Sequence, residues 1–237
     1  MNMEQVGFVA RKELKELAIN KGTWVSALVF GMLVTLTNLS TVMATAEQGG
    51  VVSLDWPLIY LSMFAGVFAG FVLCGAVFFR EKQSGVIETL LCTPLDLRSI
   101  WLGKVLGVAI PSYLMGLLSA GVLVVLSLSS AAPIAAPSLL VLFHLLVVAP
   151  LFIAAAIGLV GYVQLAMGMR ENRLISMGVF FLLIVGLTVS SGIIQEDSTL
   201  MGQVVIALFV GAVALLALSF VLSKRLDKER IVTSIPD

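Results

Sequence analysis

Apolar residues gather into six blocks, at roughly 23–43, 57–79, 105–130, 138–167, 174–194 and 203–223. Each is long enough, at about 20 residues, to cross a bilayer as a helix. The blocks are continuous, whereas barrel strands would be short and would alternate in character. The pattern predicts an all-α integral membrane protein with six transmembrane helices over residues 23–223. Residues 3–20 read differently. Val6, Val9, Ala10, Leu14, Leu17 and Ala18 recur at steps of three and four, while Arg11, Lys12, Lys15 and Glu16 fill the other face. That predicts an amphipathic helix within 1–22, too charged to span and suited to the headgroup plane. Pro150 predicts a kink in the long fourth block, and Pro111 a bend near the start of the third.

The longest polar interruption runs from Phe79 to Lys104. It carries Arg80, Glu81, Lys82, Glu88, Asp96, Arg98 and Lys104, with Val86, Ile87, Leu90, Leu91 and Leu95 interleaved. Joining two spans takes only a few residues, so a patterned segment of this length reads as a surface that a partner touches. Ser84 is placed to cap a short helix over about 85–92, with Gly85 in its first turn. Pro94 cannot continue that helix. Thr93 is then placed to cap the next one, with Pro94 at its first position and Asp96 at its third. The expected product is helix–break–helix, exposing Glu88 and Thr89 beside Leu90 and Leu91. Such a helix fits a groove on a soluble partner, or else it floats on lipid.

Composition agrees with the membrane reading: 59% of the residues are hydrophobic and only 12% charged, against about 25% charged in ordinary soluble domains. The net charge is zero, but its distribution is one-sided. Arg11, Lys12, Lys15 and Lys21 precede the first block, and Arg80, Lys82, Arg98 and Lys104 follow the second. Arg170 and Arg173 follow the fourth, and Lys224, Arg225, Lys228 and Arg230 the sixth. The alternate loops, about 44–56, 131–137 and 195–202, hold no Lys or Arg. The positive-inside rule makes the basic side cytoplasmic. Both termini, including a tail over 224–237, are expected there, in a multi-pass protein of the plasma membrane. Trp24 and Trp56 flank spans at opposite faces as interface anchors, and Trp101 is expected just before the third span. No cleavable signal peptide is expected, since the first twenty residues lack an apolar run.

Several chemistries lack their residues. The apolar blocks contain no Asp, Glu, Lys or Arg, the usual coupling groups of ion-driven transporters. His144 and Gln164 are their main polar exceptions, and a lone membrane histidine is commonly a hydrogen bonder between helices. No serine stands in a nucleophile motif with a base. One histidine and two separated cysteines, Cys74 and Cys92, form neither a metal set nor a disulfide framework. Leu102-Gly103-Lys104 lacks the rest of a phosphate loop, with Arg98 and Val105 in the positions that need Gly and Ser/Thr. The chain is expected to be non-catalytic, without cofactor or metal, and not to bind nucleic acid. Gly66 and Gly70 form a small-residue step that serves packing within the chain or a dimer contact.

The run E-K-Q-S-G-V-I-E-T-L-L-C-T-P-L from Glu81, with I-W-L-G-K ending at Lys104, resembles the permease subunits of ABC-2 type exporters. Glu81, Gly85, Glu88, Leu90, Leu91, Thr93, Pro94, Gly103 and Lys104 match that family's pattern. Val86 departs where the family often has Thr. The stretch A-R-K-E-L-K-E-L, with Arg11, Lys12, Leu14 and Leu17, resembles the family's N-terminal elbow helix. The resemblance implies a six-helix half-transporter that pairs with a second permease and with cytoplasmic ATP-binding cassette subunits. It makes residues 80–104 the coupling loop, with Glu81, Gly85, Glu88, Leu91, Thr93 and Pro94 at the ATPase. It also implies that the 195–202 loop dips back into the membrane. The alternative from the residues alone is a stand-alone channel, scaffold or assembly factor.

Overall fold

The computed structural model describes residues 3–47, 53–93, 95–129, 133–167, 169–196 and 200–224, and every regular element among them is a helix. In order these are α1 (Met3–Ile19), α2 (Lys21–Glu47), α3 (Asp55–Cys74), a π-helical turn (Gly75–Phe79), α4 (Arg80–Gln83) and α5 (Val86–Leu91). Then come α6 (Leu97–Leu128), α7 (Leu139–Phe143), a second π-helical turn (His144–Val148), α8 (Ala149–Ala166), α9 (Met169–Glu196) and α10 (Met201–Ser223).

Among the described residues, five stretches are long and apolar enough to cross a membrane: Lys21–Ala44, Asp55–Gln83, Leu97–Leu128, Leu139–Ala166 and Met201–Ser223. The fifth block lies in α9, whose described apolar stretch, Leu174–Val189, is shorter than the other five. The second and third spans extend further toward the 80–104 segment than the apolar blocks do. Helix continues through Gln83 and resumes at Leu97, so α6 is 32 residues long and takes in Arg98 and Lys104. Trp101 is therefore not an interface anchor. It is a core residue, 3% exposed, whose ring lies 3.3 Å from where a Cβ on Gly158 would stand.

Helices α3, α6 and α8 pack on one another, with α2 against α6 and α3, α10 against α8, and α9 against α8 and α3. Between apolar helices in lipid, association rests on close packing rather than on escape from water. The small residues show where the backbones approach. A Cβ on Gly66 would stand 2.3 Å from Ile153 Cδ1, and one on Gly70 2.8 Å from Ile157 Cγ1. The Gly66–Gly70 step is thus filled by α8 of the same chain. Gly116 lies so near the Ser62 carbonyl that a Cβ would be only 2.3 Å from its oxygen.

Pro150 produces a π-helical turn rather than a simple kink. It stands at the second position of α8, directly after His144–Val148. Proline has no N–H to give the carbonyl four residues back, and its ring crowds that carbonyl. The wider turn absorbs both problems, and Tyr113 Oη donates to the Leu145 carbonyl at 2.9 Å within it. His144 is fully buried there. Its ring lies near the Ile59 backbone without completing a hydrogen bond of good geometry, so the expected interhelical bond is not made. Pro111 sits inside α6, which continues through it. The loop expected to dip into the membrane falls partly at 197–199, outside the described residues, as does the tail from 225 on.

Candidate functional site

The second span ends in a tightly built turn. Ser84 N–H donates to the Arg80 carbonyl at 3.0 Å and Gly85 N–H to Lys82 at 3.4 Å. Gly85 has φ +71°, the left-handed conformation that closes a helix and that glycine adopts without a Cβ penalty. Gly85 is therefore the stop signal of α4, not part of the first turn of α5. Ser84 Oγ donates back to the Glu81 carbonyl at 3.3 Å instead of capping α5. Thr93 likewise looks backward. Its N–H and Oγ1 both donate to the Leu90 carbonyl, at 3.2 and 2.6 Å, closing α5. The cap of α6 falls on Asp96, whose carbonyl accepts from Ile100 N–H at 3.0 Å. Thr93 is too far back to cap a helix that begins at Leu97, and Pro94 lies outside the described residues.

Helix α5 has two faces. Ile87 is 1% exposed and belongs to the main core with Phe78 and Trp101, and Leu90 packs against that core. Val86 and Thr89 face outward, as does Cys92 in the turn that follows. The short helix is thus held to the bundle and does not float. Glu88 and Leu91 lie on α5, their side chains outside the described set.

Behind this surface is a buried ion-pair cluster that joins α1, α4 and α6. Lys104 is fully buried, and its Nζ donates to Glu13 Oε1 at 2.7 Å and to Glu81 Oε2 at 2.5 Å. Lys12 Nζ approaches Glu81 Oε1 at 3.2 Å, Glu16 at 3.4 Å and Glu13 at 3.5 Å. Burial raises the pKa of Glu13, Lys104 opposes that rise, and the like charge of Glu81 adds to it. For Lys12, burial acts to lower the pKa, but Glu13, Glu81 and Glu16 outweigh it and raise it. Glu13, Glu16 and Glu81 bring their oxygens within 4.8 Å of one another, the spacing of a metal cage. Two ammonium groups already pair with these oxygens, so the arrangement is a salt-bridge network.

Two glycines admit α1 to this position. A Cβ on Gly103 would stand 2.6 Å from Val9 Cβ, and one on Gly107 2.6 Å from Glu13 Cβ. The elbow-like helix is therefore packed on the start of the third span as well as amphipathic. Its buried face is Val6, Val9, Ala10, Glu13 and Leu17. Ala18 is exposed and Leu14 half-buried, so the inner stripe is turned toward Glu13 relative to the expected one. Arg11 points outward and Lys12 into the cluster.

A second buried ammonium anchors the same segment. Lys82 Nζ donates to the carbonyls of Leu165, at 3.0 Å, and Met167, at 2.6 Å. These lie at the carboxyl end of α8, where carbonyls lack intrahelical partners and the helix dipole favours a cation. Adjacent residues thus clamp different elements: Glu81 holds α1 and α6, and Lys82 holds α8. Sequence reasoning missed Glu13 and Lys82 and gave Lys104 only a family match. One signal was present, since Glu13 follows Val6, Val9 and Ala10 at helical spacing on the apolar stripe.

No family model matches the sequence. None of the curated proteins compared with it shows significant similarity.

Proposed function

We propose that this chain is the membrane-spanning subunit of an ATP-driven exporter of the ABC-2 type. In this reading it has six spans, with the Leu174–Val189 stretch completing the fifth, and both termini on the cytoplasmic side of the plasma membrane. It pairs with a second permease copy or homologue, and separate ATPase subunits dock on the 80–104 segment. The observation that carries the reading is the construction of α5. A short helix presents Val86 and Thr89 outward, with Cys92 just beyond it, while Ile87 roots it in the core and Glu81 and Lys82 clamp the turn before it. A push on such a helix passes to α1, α6 and α8 by rigid contact, with no chemistry in this chain. The resemblance of residues 81–104 to the family's coupling loop, and the confinement of Lys and Arg to alternate loops, support the same reading.

The test is coexpression with the product of the neighbouring gene, where that gene encodes an ATP-binding cassette ATPase. The solubilised chain is expected to retain that subunit, and Glu88→Lys to abolish transport-linked ATP hydrolysis in reconstituted vesicles while leaving insertion intact. A chain that never retains an ATPase is a stand-alone membrane protein, and unchanged coupling in Glu88→Lys removes the docking role from α5.

A further inference from the structure

The face of α1 turned away from α6 carries Phe8, Arg11, Lys15 and Ile19, at steps of three, four and four, which form one stripe along the helix. Phe8 and Ile19 are 70% and 71% exposed. Arg11 and Lys15 are exposed too, and neither takes part in an ion pair among the described residues. The described pairs on α1 are made by Lys12, Glu13 and Glu16, with Glu16 held to Lys12. Glu4 shares the outer face but lies at its amino end, and the exposed Lys21 follows its carboxyl end. The depth of the stripe is marked by Trp24, whose Nε1 donates to the Leu17 carbonyl at 2.8 Å. A tryptophan at the end of a span sits at the level of the headgroups, and here it ties the last turn of α1 to that level.

We infer that this stripe is a binding surface for anionic phospholipid. Ile19, at the end of α1 that Trp24 holds, enters the acyl boundary, and Lys15 and Arg11, one and two turns back along a helix that runs beside α6, take the headgroup charge. This rests on the membrane-spanning nature of the chain and not on the exporter reading. Phosphatidylcholine also carries a phosphate, so the mark of the site is preference for net negative charge. Each basic residue near an anionic surface is worth about fivefold in affinity, so the pair contributes about thirtyfold.

The test uses the full chain in nanodiscs of mixed phosphatidylglycerol and phosphatidylcholine, with native mass spectrometry of the lipids retained as the surrounding bilayer is stripped. The wild type is expected to retain phosphatidylglycerol in excess over its share of the bilayer. Arg11→Gln/Lys15→Gln should lose that excess by about thirtyfold, and Arg98→Gln, at an exposed cation on α6, should keep it. Protection of the buried Cys74 thiol from labelling reports that each variant is folded. Equal enrichment in the double variant and the wild type overturns the inference, as does an equal loss in Arg98→Gln. An absence of phosphatidylglycerol enrichment in the wild type overturns it as well and leaves the stripe to a soluble partner.

Discussion

Replacing Lys104 with Met tests whether the buried cluster holds α1 and α4 to α6. Methionine keeps the length and most of the volume of lysine, so the change is chiefly one of charge. It removes the bonds of 2.7 Å to Glu13 and 2.5 Å to Glu81. Glu81 retains Lys12 at 3.2 Å, but Glu13, 1% exposed, is left with a shared contact at 3.5 Å. Removing one partner of a buried pair costs about 3–5 kcal/mol, and the remaining contact to Lys12 places this case near 3 kcal/mol. Adding Glu13→Gln removes the orphaned charge, so the double variant should recover most of the loss. The chain contains its own reporter, because Cys74 is fully buried in the core while Cys92 is exposed. In a Cys92→Ser background, labelling of Cys74 by a thiol-reactive dye follows opening of the bundle. A loss of 3 kcal/mol predicts labelling about a hundredfold faster.

Acid should lessen the defect in Lys104→Met. Glu13 already has its pKa raised by burial, and Lys104, which opposes that rise, is gone in the variant. A carboxyl whose folded pKa lies above its unfolded value favours the fold increasingly as pH falls through the folded pKa toward the unfolded one. The gap between variant and parent should therefore narrow from neutral pH to about pH 5. A Lys104→Met protein as stable as its parent, or a double variant as unstable as the single, would refute the reasoning.

Gly103→Ala places a Cβ 2.6 Å from Val9 Cβ and 2.9 Å from the Val6 carbonyl oxygen, so α1 must move. The cost is about 1–3 kcal/mol, visible as lost hydrogen-exchange protection in α1. Gly85→Ala meets no neighbouring atom within 4 Å but must hold φ +71°, a backbone cost of about 1–2 kcal/mol. Limited proteolysis should cut 84–93 faster, and Gly85→Asn should be milder. Lys82→Met leaves the Leu165 and Met167 carbonyls without their donor. It should cost about 1.5–3 kcal/mol and speed amide exchange at the end of α8, which unchanged exchange would contradict.

The apolar blocks were legible because a helix in lipid must be apolar over its whole length, and most span boundaries follow from them. A helix after the Thr93-Pro94 break was legible to within a few residues of the observed start at Leu97, but not that it runs unbroken into the third span. Lys104 read as part of the 80–104 loop until Glu13, 91 positions away, and Glu81, 23 away, are seen to receive it. Charge neutralised at long range leaves no local trace. Capping was misread for a related reason. Ser84 and Thr93 have the chemistry to cap forward or to bond backward, and the structure takes the backward choice at both. Gly85 read as part of the first turn of α5, but its left-handed φ assigns the glycine to the end of the helix before it.

The π-helical turn at Gly75–Phe79 acts as a vernier on charge. It ends where Arg80 N–H reaches the Gly75 carbonyl, five residues back. A turn wider by one residue shifts everything after it by about 100° around the helix axis. With an ordinary α turn there, Arg80 would inherit the azimuth of Glu81 and face Lys104. Glu81 would inherit that of Lys82 and face the Leu165 and Met167 carbonyls. Both meetings would be between like signs. One residue of helical phase, set within the apolar stretch Gly75–Phe79, therefore decides whether the clamp behind α5 attracts or repels.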